Sequence, residues 1–244
     1  MFEKRGESCF FADVCLLLPP TRPEIDADFI YSVLQSCYIL SSVKEKFEES
    51  INRVYDYILN DLRDNLPKYF QSIGCTELSD NDGLLFEAFF AERRKQLRKI
   101  RSISIYFIIE GYIESWIVSQ IHSLQRGVKV PVEDFLPAIY RELSNKYEEL
   151  KSPVETLDVI NIEPKGELKA EALRQGIIKY EDQDHIASAI EYQYAQNKWV
   201  IFLTHDEKHI LNSAERLRDN YVLYVSKPIY AIDHRKDLSK KPSP

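Results

Sequence analysis

Two apolar runs at opposite ends of the chain constrain its fold more than any other feature. Residues 9–18 read CFFADVCLLL, broken by the single acid Asp13 and closed by Pro19-Pro20, and residues 199–203 read WVIFL. Runs of this kind suit strands buried on both faces of a parallel sheet. The neighbouring patterns agree. A helix is expected over about residues 26–36, with Phe29, Ile30, Val33 and Leu34 on one face. A short strand over 37–40 leads into Ser41-Ser42, which can cap a long helix carrying Phe47, Ile51, Val54, Ile58 and Leu62 down to Asp64. Beyond Pro153 the alternation resumes. Residues 157–162 (LDVINI) read as a strand, 165–174 as a helix, and 182–196 as a second helix whose inner face is Ile186, Ala187, Ile190 and Tyr194. The WVIFL strand follows, then a helix over 207–217 and a last strand over 221–225. Strand, helix, strand at both ends is the grammar of an α/β fold with a parallel sheet flanked by helices.

The middle of the chain follows a different period. Helical stripes are expected over 83–102, over 103–124, and around Phe135, Ile139, Leu143, Tyr147 and Leu150. Breaks fall at 74–83, 127–131 and 151–153. The expected organisation is a discontinuous α/β core, residues 1–49 and 156–231, interrupted by a large all-α insertion over 50–155. A polar tail follows over 232–244.

Composition narrows the functional classes. The 244 residues are 44% hydrophobic and 29% charged, with 15 Tyr and 12 Phe, enough bulk for a real core. A net charge of −7 argues against a protein that coats nucleic acid indiscriminately and leaves room for a local basic patch. Cys9, Cys15, Cys37 and Cys75 have neither zinc-knuckle spacing nor the density of a disulfide scaffold. The opening MFEKRGESCFF lacks a signal-peptide core, and the longest apolar stretch, 103–121, is interrupted by Glu110 and Glu114. The expected setting is a reducing cytoplasm, away from membranes.

In an open parallel sheet, functional groups gather beyond the carboxyl ends of the strands. Acids fall at such places. Asp13 sits in the first apolar run, where an unpaired charge is costly. Asp206 follows the WVIFL strand within Thr204-His205-Asp206, and Asp182 and Asp184 open the preceding helix. Glu45 stands in the first turn after the second strand, with Glu48 and Glu49 a turn further on. Each acid also has a plain structural role. Asp182, Asp184 and Asp206 suit helix caps, and Glu45 suits a solvated face. Convergence of four at one sheet edge is not explained by those separate roles.

The segment FADVCLLLPP resembles the opening of a PIN domain. EDQDHIASAIEYQYAQNKWVIFLTHDEKHI resembles that family's closing motif: an acid, a small-residue helix with Ala187 and Ala189, a buried strand, then Thr-x-Asp at Thr204 to Asp206. SSVKEKFEES is a looser match to the second-acid helix. Glu45 is the choice there, with Glu48 and Glu49 as alternatives. The resemblance covers about residues 8–49 and 156–226. The family's Thr or Ser soon after the first acid is replaced by Val14 and Cys15, and the helical insertion has no counterpart in a minimal PIN domain.

The resemblance implies a three-layer α/β/α core and a metal-dependent endoribonuclease that hydrolyses phosphodiester bonds of single-stranded RNA. Such an enzyme would be a toxin of a toxin–antitoxin pair or an RNA-processing enzyme. Mg²⁺ or Mn²⁺ would be held by Asp13, Glu45, Asp184 and Asp206, with Asp182 in reserve, since hard cations take oxygen ligands. His185 and His205 neighbour these acids and read as capping or surface residues. Residues 92–101, ERRKQLRKIR, place Arg94, Arg98 and Arg101 on one helix face with Lys95 beside them. That stripe suits a phosphate backbone, or equally a solvated face. The competing expectation is a catalytically inactive PIN-like scaffold. It would bind a protein partner or a second copy through its insertion.

Overall fold

A computed structural model of the chain describes residues 8–17, 33–97 and 104–230. The expected helix over 26–36 lies outside them up to residue 32, as do Arg98, Arg101 and the tail over 232–244. The elements, in chain order, are β1 (Ser8–Ala12), α1 (Val14–Leu17), β2 (Cys37–Leu40), α2 (Ser41–Ser72), β3 (Glu77–Leu78), α3 (Gly83–Leu97) and α4 (Ser104–His122). They continue with β4 (Val130–Pro131), α5 (Val132–Glu155), β5 (Asp158–Ile160), α6 (Gly166–Arg174), α7 (Tyr180–Gln196), β6 (Trp199–Leu203), α8 (Ala214–Tyr221) and β7 (Tyr224–Ser226). The chain divides into two compact units, residues 1–48 with 153–244, and residues 49–152. Among the described residues, no helix is long and apolar enough to cross a membrane.

The first unit is an α/β fold built on a five-stranded sheet in the order β5–β2–β1–β6–β7, with every pairing parallel. β1 and β6 lie side by side along their whole length, from Ser8 opposite Trp199 to Ala12 opposite Leu203. The chain builds outward from β1 to β2 and β5 on one side, then crosses to β6 and β7 on the other. The reversal falls between β1 and β6. Their apolar runs are central because a strand there is covered on both faces. Phe11, Ala12 and Val200 to Leu203 are all shut off from solvent.

α7 is covered nearly all round, which its small residues allow. Ala187, Ser188 and Ala189 are buried along with Ile186 and Ile190, and Tyr192 sets its ring edge-on to Phe11 at 5.0 Å. The expected inner-face Tyr194 is instead exposed, and Gln193 takes the buried place. The Gln193 amide donates to the Tyr221 carbonyl at 2.7 Å and accepts from Val200 N at 3.2 Å. It thereby satisfies a loose carbonyl at the end of α8 and the leading edge of β6 together.

Four expectations need correction. The first strand ends at Ala12 and not at Leu18, because Asp13 turns the chain: its carboxylate accepts from Val14 N at 2.8 Å and its carbonyl from Leu16 N at 3.0 Å. The long helix does not stop at Asp64. It runs to Ser72 with Pro67 inside it, and burial of Leu66 and Phe70 continues its apolar stripe. The helix expected over 207–217 forms late. A turn hung on Asp206 and one 3₁₀ turn (Leu211–Ser213) precede α8. The fourth concerns the insertion, which is not wholly helical, since β3 and β4 form a two-residue antiparallel ladder.

The second unit packs its own core. Ile109, Ile113, Ile117 and Ile121 recur every fourth residue of α4 and are fully buried. The rings of Phe70 and Phe86 meet with centroids 4.9 Å apart, and those of Tyr69 and Phe89 at 5.4 Å.

Candidate functional site

The carboxyl ends of β1 and β6 are tied together by Asp13 N, which donates to the Leu203 carbonyl at 3.0 Å. This is the point where the strand order reverses, the crevice in which open parallel sheets place their ligands. Asp13 is 5% exposed. Its Oδ2 accepts from Thr204 Oγ1 at 2.7 Å and from Cys15 Sγ at 3.2 Å. Thr204, the first residue beyond β6, is itself fully buried and accepts from Asp206 N at 2.9 Å. Cys15 Sγ also accepts from His205 N at 3.1 Å. One hydroxyl and one thiol thus lock the two strand ends to each other.

Burial raises the cost of ionising Asp13, yet His185, Thr204 and Cys15 outweigh it and hold the carboxyl below the usual carboxylate range. His185 Nδ1 stands 3.7 Å from Asp13 Oδ1, and its interaction with that carboxylate favours the charged form. Burial, with the Asp13 charge beside it, pushes the Cys15 thiol well above the ordinary thiol range, so it stays an S–H donor.

Asp206 and Asp182 complete the cluster. Asp206 Oδ1 accepts from His209 N at 2.9 Å, which starts the turn after β6, while Oδ2 faces Lys179 Nζ at 3.3 Å. Asp182, in the first turn of α7, is buried and aims its Oδ2 at the same ammonium from 3.8 Å. Burial first, and then the charges of Asp13 and Asp206, raise the Asp182 carboxyl above its ordinary range against the opposing pull of Lys179 and His185. Burial lowers Lys179, but Asp182, Asp206 and the more distant Asp13 together raise it. Two carboxylates from separate segments, Asp182 and Asp206, therefore flank one lysine, and the Asp13 charge also acts on it.

The loop that carries Lys179 is built with care. α6 ends in a Schellman turn: Gly176 N bonds to Leu173 O at 2.9 Å and Ile177 N to Ala172 O at 3.1 Å. Gly176 takes φ +97°, and a side chain there would also strike Arg216. The buried Gln183 amide then donates to the carbonyls of Ile177 and Ile178 at 2.9 and 3.1 Å.

Of the remaining expected site residues, most are engaged by other partners. Asp184 forms an ion pair with Lys169 of α6 at 2.7 Å, on a different side of α7 from Asp182. Glu45 is exposed on α2, while the next residue, Lys46, pairs with Glu181 at 2.8 Å. Glu48 pairs with Lys44, and Glu49 with Arg53. In the second unit Arg94 is engaged by both oxygens of Glu114, and Lys95 pairs with Glu92. His185 is 3% exposed, so it is a buried member of the cluster and not a surface residue. Cys15 was noted in the sequence only as standing where the family has Thr or Ser, and Lys179 was not singled out. Lys179 had one signal, a lysine three residues before Asp182.

The donor set fits a hard divalent cation in kind. Asp182 Oδ2 and His185 Nδ1 are buried without a hydrogen-bond partner, and the surrounding donors are mostly carboxylate oxygens. Among the described residues, no three His, Cys, Asp or Glu side chains are gathered closely enough to hold an ion as they stand. Compared with family models, curated proteins and solved structures, the chain matches none.

Proposed function

We propose that this protein is a metal-dependent nuclease acting on single-stranded RNA, as its PIN-like sequence motifs imply. The observation that carries the reading is the convergence of Asp13, Asp182 and Asp206 at the crevice between β1 and β6. Those three carboxylates would hold Mg²⁺ or Mn²⁺. Asp182 takes the place expected of Asp184, which Lys169 engages. A bound ion of this kind activates water and offsets the charge developing on a phosphodiester.

The chain's own residues supply position. Thr204 and Cys15 fix the Asp13 carboxylate and keep it ionised, and the turn after β6 fixes Asp206 through His209 N. The α7 N-terminus favours the Asp182 charge, which its neighbours oppose. An uncompensated cluster of acids repels phosphate, so RNA should bind weakly without the metal. The test is cleavage of a mixed-sequence single-stranded RNA in Mg²⁺, Mn²⁺ or EDTA, with Asp206→Asn alongside. Metal-dependent cutting that the substitution abolishes is expected. A folded, metal-supplied protein that leaves RNA intact would end the reading.

A second reading has its own support. Lys179 already offsets part of the carboxylate charge, as a structural ion pair would. On that reading the first unit is an inactive scaffold, and residues 49–152 bind a protein partner or a second copy. Failure of the cleavage test favours it.

A further inference from the structure

We infer that Lys179 is a tethered cation that competes with the divalent metal for Asp182 and Asp206, so that metal loading requires its ammonium to leave. The inference rests on the metal-site reading above and adds a control element to it.

Three observations carry it. The ammonium lies 3.3 Å from Asp206 Oδ2 and 3.8 Å from Asp182 Oδ2, against two of the carboxylates that would hold an ion. The arrangement is also poor as a permanent ion pair. Lys179 donates to Asp206 Oδ2, yet the buried Asp182 Oδ2 gains no hydrogen bond from it. A buried carboxylate oxygen left in this way is costly, and a better-placed cation would satisfy it. Finally, the lysine can leave without disturbing the fold. Its side chain is 45% exposed, whereas the backbone before it is pinned by the Schellman turn and the Gln183 amide. Rotation about its own side-chain bonds carries the ammonium into solvent. Asp182, Asp206 and the nearby Asp13 outnumber the one ammonium, an acidic excess that draws a divalent ion toward the site from outside.

The consequence is a site that stays closed to metal until the metal or an anionic substrate draws the lysine away. A departing ammonium beside the crevice is well placed to meet a phosphate.

The test is a Mn²⁺ titration of the full chain, following the spin-resonance signal of free Mn²⁺, for the wild type, Lys179→Met and Lys179→Arg. Lys179→Met should bind Mn²⁺ at least about tenfold more tightly than the wild type, a gain of about 1.4 kcal/mol. Lys179→Arg, which keeps the charge, should not gain. Adding Asp13→Asn to Lys179→Met should remove the gain and so place it at this site. Lys179→Gln is a second neutral variant should the methionine variant fold poorly. Equal or weaker binding by the neutral variants, with measurable binding by the wild type, would overturn the competition and leave the metal site intact. Folded variants that all fail to bind Mn²⁺ would remove the competition and the metal site together.

Discussion

Thr204 Oγ1 donates a 2.7 Å hydrogen bond to Asp13 Oδ2 across 191 positions of sequence, inside a sheet edge that water does not reach. The same oxygen receives Asp206 N at 2.9 Å. One hydroxyl therefore joins the end of the first strand, the end of β6 and the turn that carries the next acid. The cluster is a property of the sheet's central pair, not of any one loop.

Replacing Thr204 by Val keeps its shape and leaves Asp13 Oδ2 and Asp206 N short of a partner. A loss of about 1–3 kcal/mol in unfolding free energy is expected. Thr204→Ser should recover most of it. Urea unfolding of the three proteins measures this, and a neutral Val variant would contradict the arrangement.

Asp13 has a folded-state pKa below its unfolded value. Its carboxylate thus contributes stability that is fully present above the unfolded value, about 3.9, and is lost as pH falls through the folded one. Asp13→Asn should be less stable than the wild type at pH 7, and the gap should close in acid. Denaturation midpoints of both proteins from pH 7 down to the acid limit of folding would show it. A gap that persists unchanged in acid would count against an ionised Asp13.

Asp182 has the opposite sign. Its pKa is raised, so its carboxylate costs stability once the pH exceeds the unfolded value. Asp182→Asn should therefore stabilise the protein at pH 7, with the gain fading in acid. Metal-dependent activity should fall in the same variant. Destabilisation at pH 7 would mean that the Lys179 contact outweighs the repulsion from Asp13 and Asp206.

Arg94 was expected on an RNA-binding stripe, and it is held by Glu114 in the second unit. Arg94→Ala should lower stability by about 1 kcal/mol and leave the salt dependence of RNA binding unchanged. A flatter salt dependence, read from binding isotherms at several salt concentrations, would restore the stripe.

The sheet was legible wherever burial alone decides the element. WVIFL is β6 residue for residue, because an apolar run closed by Lys198 and Thr204 leaves no choice of ends. The first run was not separable in this way. CLLL is as apolar as CFFA, and only the bonds made by Asp13 show that the strand stops between them. In α7, Asp182 and Asp184 are equally plausible from spacing. Two residues of helix turn the side chain by roughly 200°, so one faces Lys179 and the other Lys169. Which face meets the sheet edge is set by packing against β6, which periodicity does not encode. Lys179 was missed for a related reason: a lysine among proposed metal ligands runs against charge logic until the fold sets its ammonium 3.3 Å from Asp206 and 3.8 Å from Asp182.

The most direct measurement is an anomalous-difference map from crystals of the full chain soaked in Mn²⁺. The account expects a peak bounded by Asp13, Asp182 and Asp206, with the Lys179 ammonium turned away from both Asp182 and Asp206. A map without that peak, with Lys179 still seated between Asp182 and Asp206, would contradict it.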